Sequence, residues 1–344
     1  MKAKPKLKDI AEKFGVSVAT VSYVYNNKWK EKRINEKLAK EITEYIKKNN
    51  YRPNSLGLQL KTGKTYIVGI ILGDLTRNFN LGILSGIEKV LAENSYFALI
   101  ADSELGEKEE KNIKALYERN IDALIIAPNK GNEVYKTLKD IKKEVPIVLV
   151  DNYFPNGDID FVVSDNKWGS YMAIGHLIKV GYRKIGYIGS GKNLTALNER
   201  FEGYIDALND NKIKINKNWI YKEISKQEDV YLGLKKILGK DGVEAIFCES
   251  LIYFKYGFKF LHEKGLKIPE DILISGFDPI NLKLDEMQEV HFDEVVNGKI
   301  PYVQQKAEEI GEKAARIIIE KLNGKKEIKQ MFIKPELKCF EKGE

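Results

Sequence analysis

Apolar positions recur with two different periods along this 344-residue chain. In the first fifty residues the spacing is helical. Ile10, Ala11 and Phe14 predict a short helix with one buried face, Val21 and Val24 a second, and Leu38, Ile42, Tyr45 and Ile46 a third. Gly15 takes positive φ cheaply, which suits a sharp turn between two crossing helices. Ser17 is placed to cap the second helix and Asn35 the third. Val18, Ala19, Ser22 and Tyr23 are left on the outer face of the second helix. Helix, tight turn and helix in this order make a unit that presents its second helix to the major groove of DNA.

Beyond the third helix the pattern changes. Tyr51-Arg52-Pro53-Asn54 opens a segment with leucines at 56, 58 and 60 that ends near Gly63. Two turns of helix fit there but are too short to stand alone, and by composition the segment reads as a linker. From Thr65 onward, β-forming runs (67–72, 97–101, 123–126, 147–150, 161–163, 185–188, 219–223, 245–248 and 273–276) alternate with amphipathic stretches. The helical stretches lie near 80–94, 108–119, 167–180, 200–210, 229–238, 254–264 and 305–322. This alternation predicts parallel sheets covered on both faces. There are too many strands for one ordinary sheet. The expectation is α/β: a two-lobed, doubly wound parallel-sheet domain behind a small all-α helix-turn-helix domain. The expected boundaries are 1–50 for the helical head, 51–64 for a hinge and 65–344 for the body. Within the body, the first lobe is expected over 65–162 and 303–322, the second over 163–302 and 325–340.

Charge sharpens the division. Residues 1–64 hold 16 basic and 6 acidic side chains, a net +10, so the remaining 280 sum to −3. A basic head on a mildly acidic body fits a head that meets phosphate. Two cysteines, Cys248 and Cys339, exclude a disulfide framework and fit a reducing compartment. The basic start has no apolar run after it, so a cytoplasmic protein with no membrane partner is expected. No P-loop, dinucleotide fingerprint or His pair at metal-ligand spacing is present, so no enzyme, metal or cofactor is expected.

Several polar residues follow strand ends: Asp74, Asp102, Asp151, Asp165, Glu249 and Asp278. Ligands of open α/β sheets bind outside the carboxyl ends of strands. Each of these residues, taken singly, also serves as an ordinary helix cap or turn residue.

The run Ile10-Ala11 through Asn26-Asn27, the motif Tyr51-Arg52-Pro53-Asn54, Arg200-Phe201-Glu202-Gly203-Tyr204 and Gly276-Phe277-Asp278 resemble the lac repressor family of bacterial regulators. The resemblance implies operator contacts from Ser17, Val18, Ala19, Thr20, Ser22, Tyr23, Asn26, Tyr51, Arg52 and Asn54. It turns the linker into a hinge helix formed on DNA, with Leu60 wedged into the minor groove. It implies an effector cleft lined by Asp74, Phe79, Asp165, Arg200, Ser250 and Asp278. Trp168 is expected in the core. The sequence departs from the family at Lys6, Tyr23, Gly57 and Glu249, and in an acidic stretch holding Asp285, Glu286, Glu289, His291, Asp293 and Glu294. The implied function is a ligand-responsive repressor of carbohydrate genes. It would act as a homodimer on a near-palindromic operator, with a small molecule such as a sugar as effector. No heptad tail follows Lys338, so a dimer rather than a tail-linked tetramer is expected. Two alternatives remain: a solute-binding receptor for transport, and a corepressor-dependent regulator answering a non-sugar ligand.

Overall fold

The computed structural model describes residues 5–49, 51, 59, 62–239, 242–278 and 300–339. The chain divides into two compact units, one ending at Thr65 and one starting at Tyr66.

The first unit is helical: α1 (Leu7–Phe14), α2 (Val18–Tyr25) and α3 (Glu36–Lys48). Ile10, Ala11, Val21, Val24, Ala39, Ile42 and Ile46 form its core. Gly15 ends α1 in the left-handed region at φ 62°. The Ser17 hydroxyl accepts from Thr20 N–H at 3.1 Å, and the Asn35 side chain accepts from the N–H groups of Lys37 and Leu38. At the start of α1, where Lys6 offers no cap, the Asp9 carboxylate accepts the Lys6 backbone N–H at 2.8 Å.

Among its described residues the second unit contains two six-stranded sheets. The first half supplies β1 (Ile67–Leu72), α4 (Asn78–Glu93), β2 (Phe97–Asp102), α5 (Glu109–Tyr117), β3 (Ala123–Ile126), α6 (Asn132–Ile141), β4 (Ile147–Val150) and β5 (Asp160–Ser164). The second supplies α7 (Asn166–Lys179), β6 (Ile185–Ile188), α8 (Thr195–Asp210), β7 (Ile220–Tyr221), α9 (Gln227–Leu238), β8 (Ala245–Cys248), α10 (Leu251–Glu263) and β9 (Leu273–Phe277). The chain ends through β10 (Tyr302–Gln304), α11 (Ala307–Leu322), β11 (Gln330–Ile333) and β12 (Glu336–Lys338). Strand order is β11-β5-β4-β3-β1-β2 in one sheet and β12-β10-β9-β8-β6-β7 in the other. Every described pair is parallel except β10 with β12. The central strands β3, β4, β6 and β8 are buried along their whole length, as parallel strands with helices on both faces must be.

Among the described residues the chain crosses between the lobes three times, which corrects the expected lobe boundaries. β5 completes the first sheet as far as Ser164. β10 belongs to the second sheet, while α11 after it packs on α4 of the first lobe. β11, expected in the second lobe, pairs with β5 in the first. Three further readings are corrected. The run 219–223 holds only the two-residue β7, because Lys217–Trp219 is a 3-10 turn. The helix α6 was not foreseen. Trp168 is 41% exposed rather than core, with its ring stacked on Tyr171.

Candidate functional site

Two sets of residues carry the chemistry, one in each unit. In the head, α2 turns Val21 and Val24 inward and leaves Val18 (46% exposed), Ala19 and Tyr23 outside. Ser17 and Asn26 are exposed at its two ends. Asn26 donates to the Ser22 carbonyl and closes the last turn. Thr20 and Ser22 are half-buried. The Lys32 ammonium lies 5.3 Å from the centre of the Tyr23 ring, so cation and aromatic ring share this surface. Tyr51 is a correction. It was expected on DNA, yet it is buried in the head core, edge-on to Tyr25. Its ring packs because it is the first apolar group after α3. The other hinge residues, Arg52, Asn54 and Leu60, lie outside the described residues, as does the acidic stretch 285–294.

In the body, the polar residues at strand ends converge. Asp74, Asp151 and Asp278 follow β1, β4 and β9, and all three have left-handed backbones with φ of 59°, 64° and 64°. Left-handed φ costs a non-glycine residue energy and is a recurrent feature of binding sites. The loop after β1 is shaped by Asp102, whose carboxylate accepts the N–H groups of Asp74, Leu75 and Glu104. Asp74 itself is tied to Arg77 at 2.7 Å and to Thr76. Burial pushes its carboxyl up, but the bonds from Thr76 and Arg77 outweigh that and hold it below the usual carboxylate range. Phe79 packs partly buried on the first-lobe core.

Arg200 is the hub on the second lobe, 5% exposed, with its guanidinium 3.7 Å from the Phe277 ring centre. Nε donates to Asn166 Oδ1 at 2.8 Å, Nη1 to the Glu249 carbonyl at 2.8 Å and Nη2 to Gln305 Oε1 at 3.2 Å. Three of its five donors are therefore held by partners among the described residues. Gln305 passes the contact on. Its Nε2 donates to Asp278 at 2.8 Å, and its Oε1 also accepts from Ser164 Oγ at 2.7 Å. Ser164 and Gln305 stand on two of the three inter-lobe crossovers, so the Arg200–Asp278 pair is wired into the hinge between the lobes.

Negative charge is in excess here. Burial raises the Asp278 carboxyl against the pull of Arg200 and Gln305. Burial likewise raises Asp151; Arg200 and Arg77 oppose it, and Asp278 adds to it. Glu249 is fully buried and accepts from the Tyr187 hydroxyl at 2.6 Å and from the Ser190 N–H. Its carboxyl is pushed up to about 7 by burial, against Tyr187, Ser190, Arg200 and Lys222. Asp165 and Ser250 are less central than expected. The Asp165 carboxylate caps α7 by accepting from Trp168 N–H, and Ser250 precedes α10 half-exposed. Sequence reasoning passed over Gln305 and did not carry Asp151 and Glu249 into the site. The strand-end position of the two acids was the available signal; Gln305 had none.

A helical DNA-reading head and a two-lobed body with a polar cleft at its strand ends define a ligand-binding transcription regulator. Family comparison gives the same class: residues 6–54 match bacterial regulatory proteins of the lacI family. Residues 65–341 match the periplasmic binding proteins and sugar binding domain of that family. The chain belongs to the lac repressor family. It is 30% identical over 323 residues to the transcriptional regulator RegA of Clostridium saccharobutylicum, covering 93% of each chain. It is 26% identical to the transcriptional repressor PurR of Haemophilus influenzae, covering 96% of each. It is 27% identical to the ribose operon repressor of that organism, over 80% of this chain and 82% of the other. Its fold matches the lac repressor dimer bound to operator and the anti-inducer ONPF, with a TM-score of 0.78 at 17% identity over 97% and 98% of the chains. These relatives are named as regulators, not enzymes. Among the described residues no helix is long and apolar enough to cross a membrane.

Proposed function

We propose that this regulator represses transcription as a homodimer on a near-palindromic operator and leaves it when a small, uncharged, hydroxyl-rich effector such as a sugar enters the cleft. The observation that carries the effector reading is the Arg200–Gln305–Asp278 chain. A cation and an anion flank the space at the strand ends, and their shared link ends on the hinge residue Ser164. Donor and carboxylate side by side suit vicinal hydroxyls. Asp74, Phe79 and Asp151 would close on the ligand from the first lobe. The ribose operon repressor and the structure of the regulator CelR with cellobiose (22% identical, TM-score 0.68) accord with a carbohydrate ligand.

The DNA reading rests on the exposed face of α2 with Ser17, Val18, Ala19, Thr20, Ser22, Tyr23 and Asn26. Arg52, Asn54 and Leu60 would act in the hinge. Dimerisation is supported by an exposed apolar edge on the first lobe. β2 is the outermost strand of its sheet, Phe97 on it is 75% exposed and Ile100 41%, and Leu81 on α4 is 46% exposed. An uncovered strand edge with large apolar side chains invites a second copy. The test is operator binding with and without sugars for the wild type and for Asp278→Ala. Retained DNA binding with lost release supports the reading; release at the wild-type concentration overturns it.

A further inference from the structure

Beside the Arg200 cleft lies a cavity of about 240 Å³ between the loops that follow β3 and β4 and the start of α8. Its walls include Pro128, Asn152, Tyr153, Phe154, Asn193 and Asn198. Among the described residues, none of its lining side chains is charged. We propose that this cavity is a second subsite for an uncharged, hydroxyl-bearing ring, so that the effector is a two-ring molecule of the disaccharide or glycoside class. The proposal rests on the reading of the Arg200–Asp278 cleft as the effector site.

Three observations carry it. The first is contiguity. Asn152, on the cavity wall, is bonded to the cleft residue Asp151: its Nδ2 donates to Asp151 Oδ2 at 3.1 Å, and its Oδ1 accepts from Ala196 N–H at 3.2 Å at the start of α8. Asn198 stands two residues before Arg200 on the same helix. The second is unspent hydrogen-bonding capacity. Asn198 Nδ2 donates to Asn193 Oδ1 at 2.9 Å. This leaves an NH2 on Asn193 and a carbonyl on Asn198 with no partner among the described residues. A neighbouring donor and acceptor match two adjacent ring hydroxyls, and reversing both amides preserves the match. The third is a fixed aromatic wall. The Tyr153 ring lies 4.4 Å from Phe161 in a stacked pair, its hydroxyl donates to Glu199 and its backbone N–H donates to Thr195 Oγ1 at 3.0 Å. A ring held at both ends suits the C–H face of a sugar.

Size and charge narrow the class. The volume is below the roughly 300–1,000 Å³ of ordinary ligand pockets, so it takes one small ring and not a whole drug-sized ligand. With no cation among its described lining residues and Asp151 next to it, the cavity would reject phosphorylated sugars and nucleotides.

The test is calorimetric titration of the full chain with cellobiose, maltose, lactose and sucrose, with glucose, galactose and fructose, and with glucose 6-phosphate. It compares the wild type, Asn198→Ala, Asn193→Ala and Asp278→Ala, each checked by thermal melting; two separate carboxamide variants guard against one failing to fold. The expected result is a disaccharide that binds at least tenfold tighter than its component monosaccharides. Either carboxamide variant should erase that advantage and leave monosaccharide affinity unchanged, and the phosphate should not bind. If monosaccharides bind as tightly as disaccharides, and only Asp278→Ala weakens them, the second subsite is wrong and the cleft reading stands. If no sugar binds, or binding ignores Asp278→Ala, both fall.

Discussion

At the scale of single residues, the cleft stores unfavourable electrostatics that make its members testable one at a time. Removing Arg200 strips three held acceptors and, among the described residues, the only cation bonded to the Asp278–Gln305 pair. Arg200→Ala should cost about 3 kcal/mol, the scale for breaking a buried charge network, discounted because Asp151 and Asp278 can take up protons. Urea denaturation followed in the body should show a lower midpoint; an unchanged midpoint would contradict the hub role. Glu249 gives a pH signature. Burial pushes its folded carboxyl up to about 7, above the ordinary value of 4.5. Below 4.5 both states are protonated and nothing is lost. Between 4.5 and 7 the unfolded chain releases a proton that the fold retains, so this group's contribution falls as pH rises, by roughly 3 kcal/mol in full. Glu249→Gln should therefore raise the melting temperature at pH 8 and not at pH 4.5. A shift of equal size at both would show that burial of the charge is not the cause.

At the scale of elements, close approach of helices is what glycine provides. A Cβ on Gly311 in α11 would collide with the Ile83 carbonyl of α4, and one on Gly203 in α8 with the Lys167 carbonyl of α7. Backbone cannot yield as a side-chain tip does, so Gly311→Val should separate α4 from α11 and expose the first-lobe core, costing about 1–3 kcal/mol or more. Hydrogen exchange should rise in α4 and α11 and stay unchanged in α9 and α10; protection kept in α4 would argue against tight packing. Ser17→Ala should cost about 1 kcal/mol through the lost cap on α2 and weaken operator binding by loosening that helix. The elements legible in the sequence were those with one strong signal. β1, β3, β4, β6 and β8 appear at their expected bounds, because uninterrupted runs such as Ala123–Ile126 are buried on both faces. The short strands β10, β11 and β12 lack such runs. Gln330 and Phe332 on β11 are exposed, and its partner β5 lies about 170 residues away in the chain, a pairing no local pattern reports. The site was half legible for the same reason. Strand-end aspartates are visible in sequence, whereas Gln305 matters only because two crossovers bring it against Ser164 and Arg200.

At the scale of the whole molecule, function depends on joining a modest DNA reader to a receptor. One short helix with apolar Val18 and Ala19 and the ring of Tyr23 on its surface offers few strong base contacts; apolar groups read thymine methyls, whereas arginine reads guanine. Tyr23→Arg should shift the preferred half-site toward guanine in an in-vitro selection, and an unchanged motif would remove Tyr23 from the readout. In the proposed homodimer, two heads on a two-fold axis would compensate through effective concentration. The ligand controls this only if it prefers one lobe arrangement, since equal affinity for both shifts nothing. Under the proposed function, the Ser164–Gln305–Arg200 link on the crossovers would provide the route for that preference. The most direct measurement is fluorescence anisotropy on a selected operator while cellobiose, maltose, lactose, sucrose and their monosaccharides are titrated against the wild type and Asp278→Ala. The account predicts equal operator affinity for the two proteins without sugar, release of the wild type by at least one of these sugars, and at least a tenfold higher concentration to release the variant. Release of both proteins at the same concentration, or of neither by any of these sugars, would contradict it.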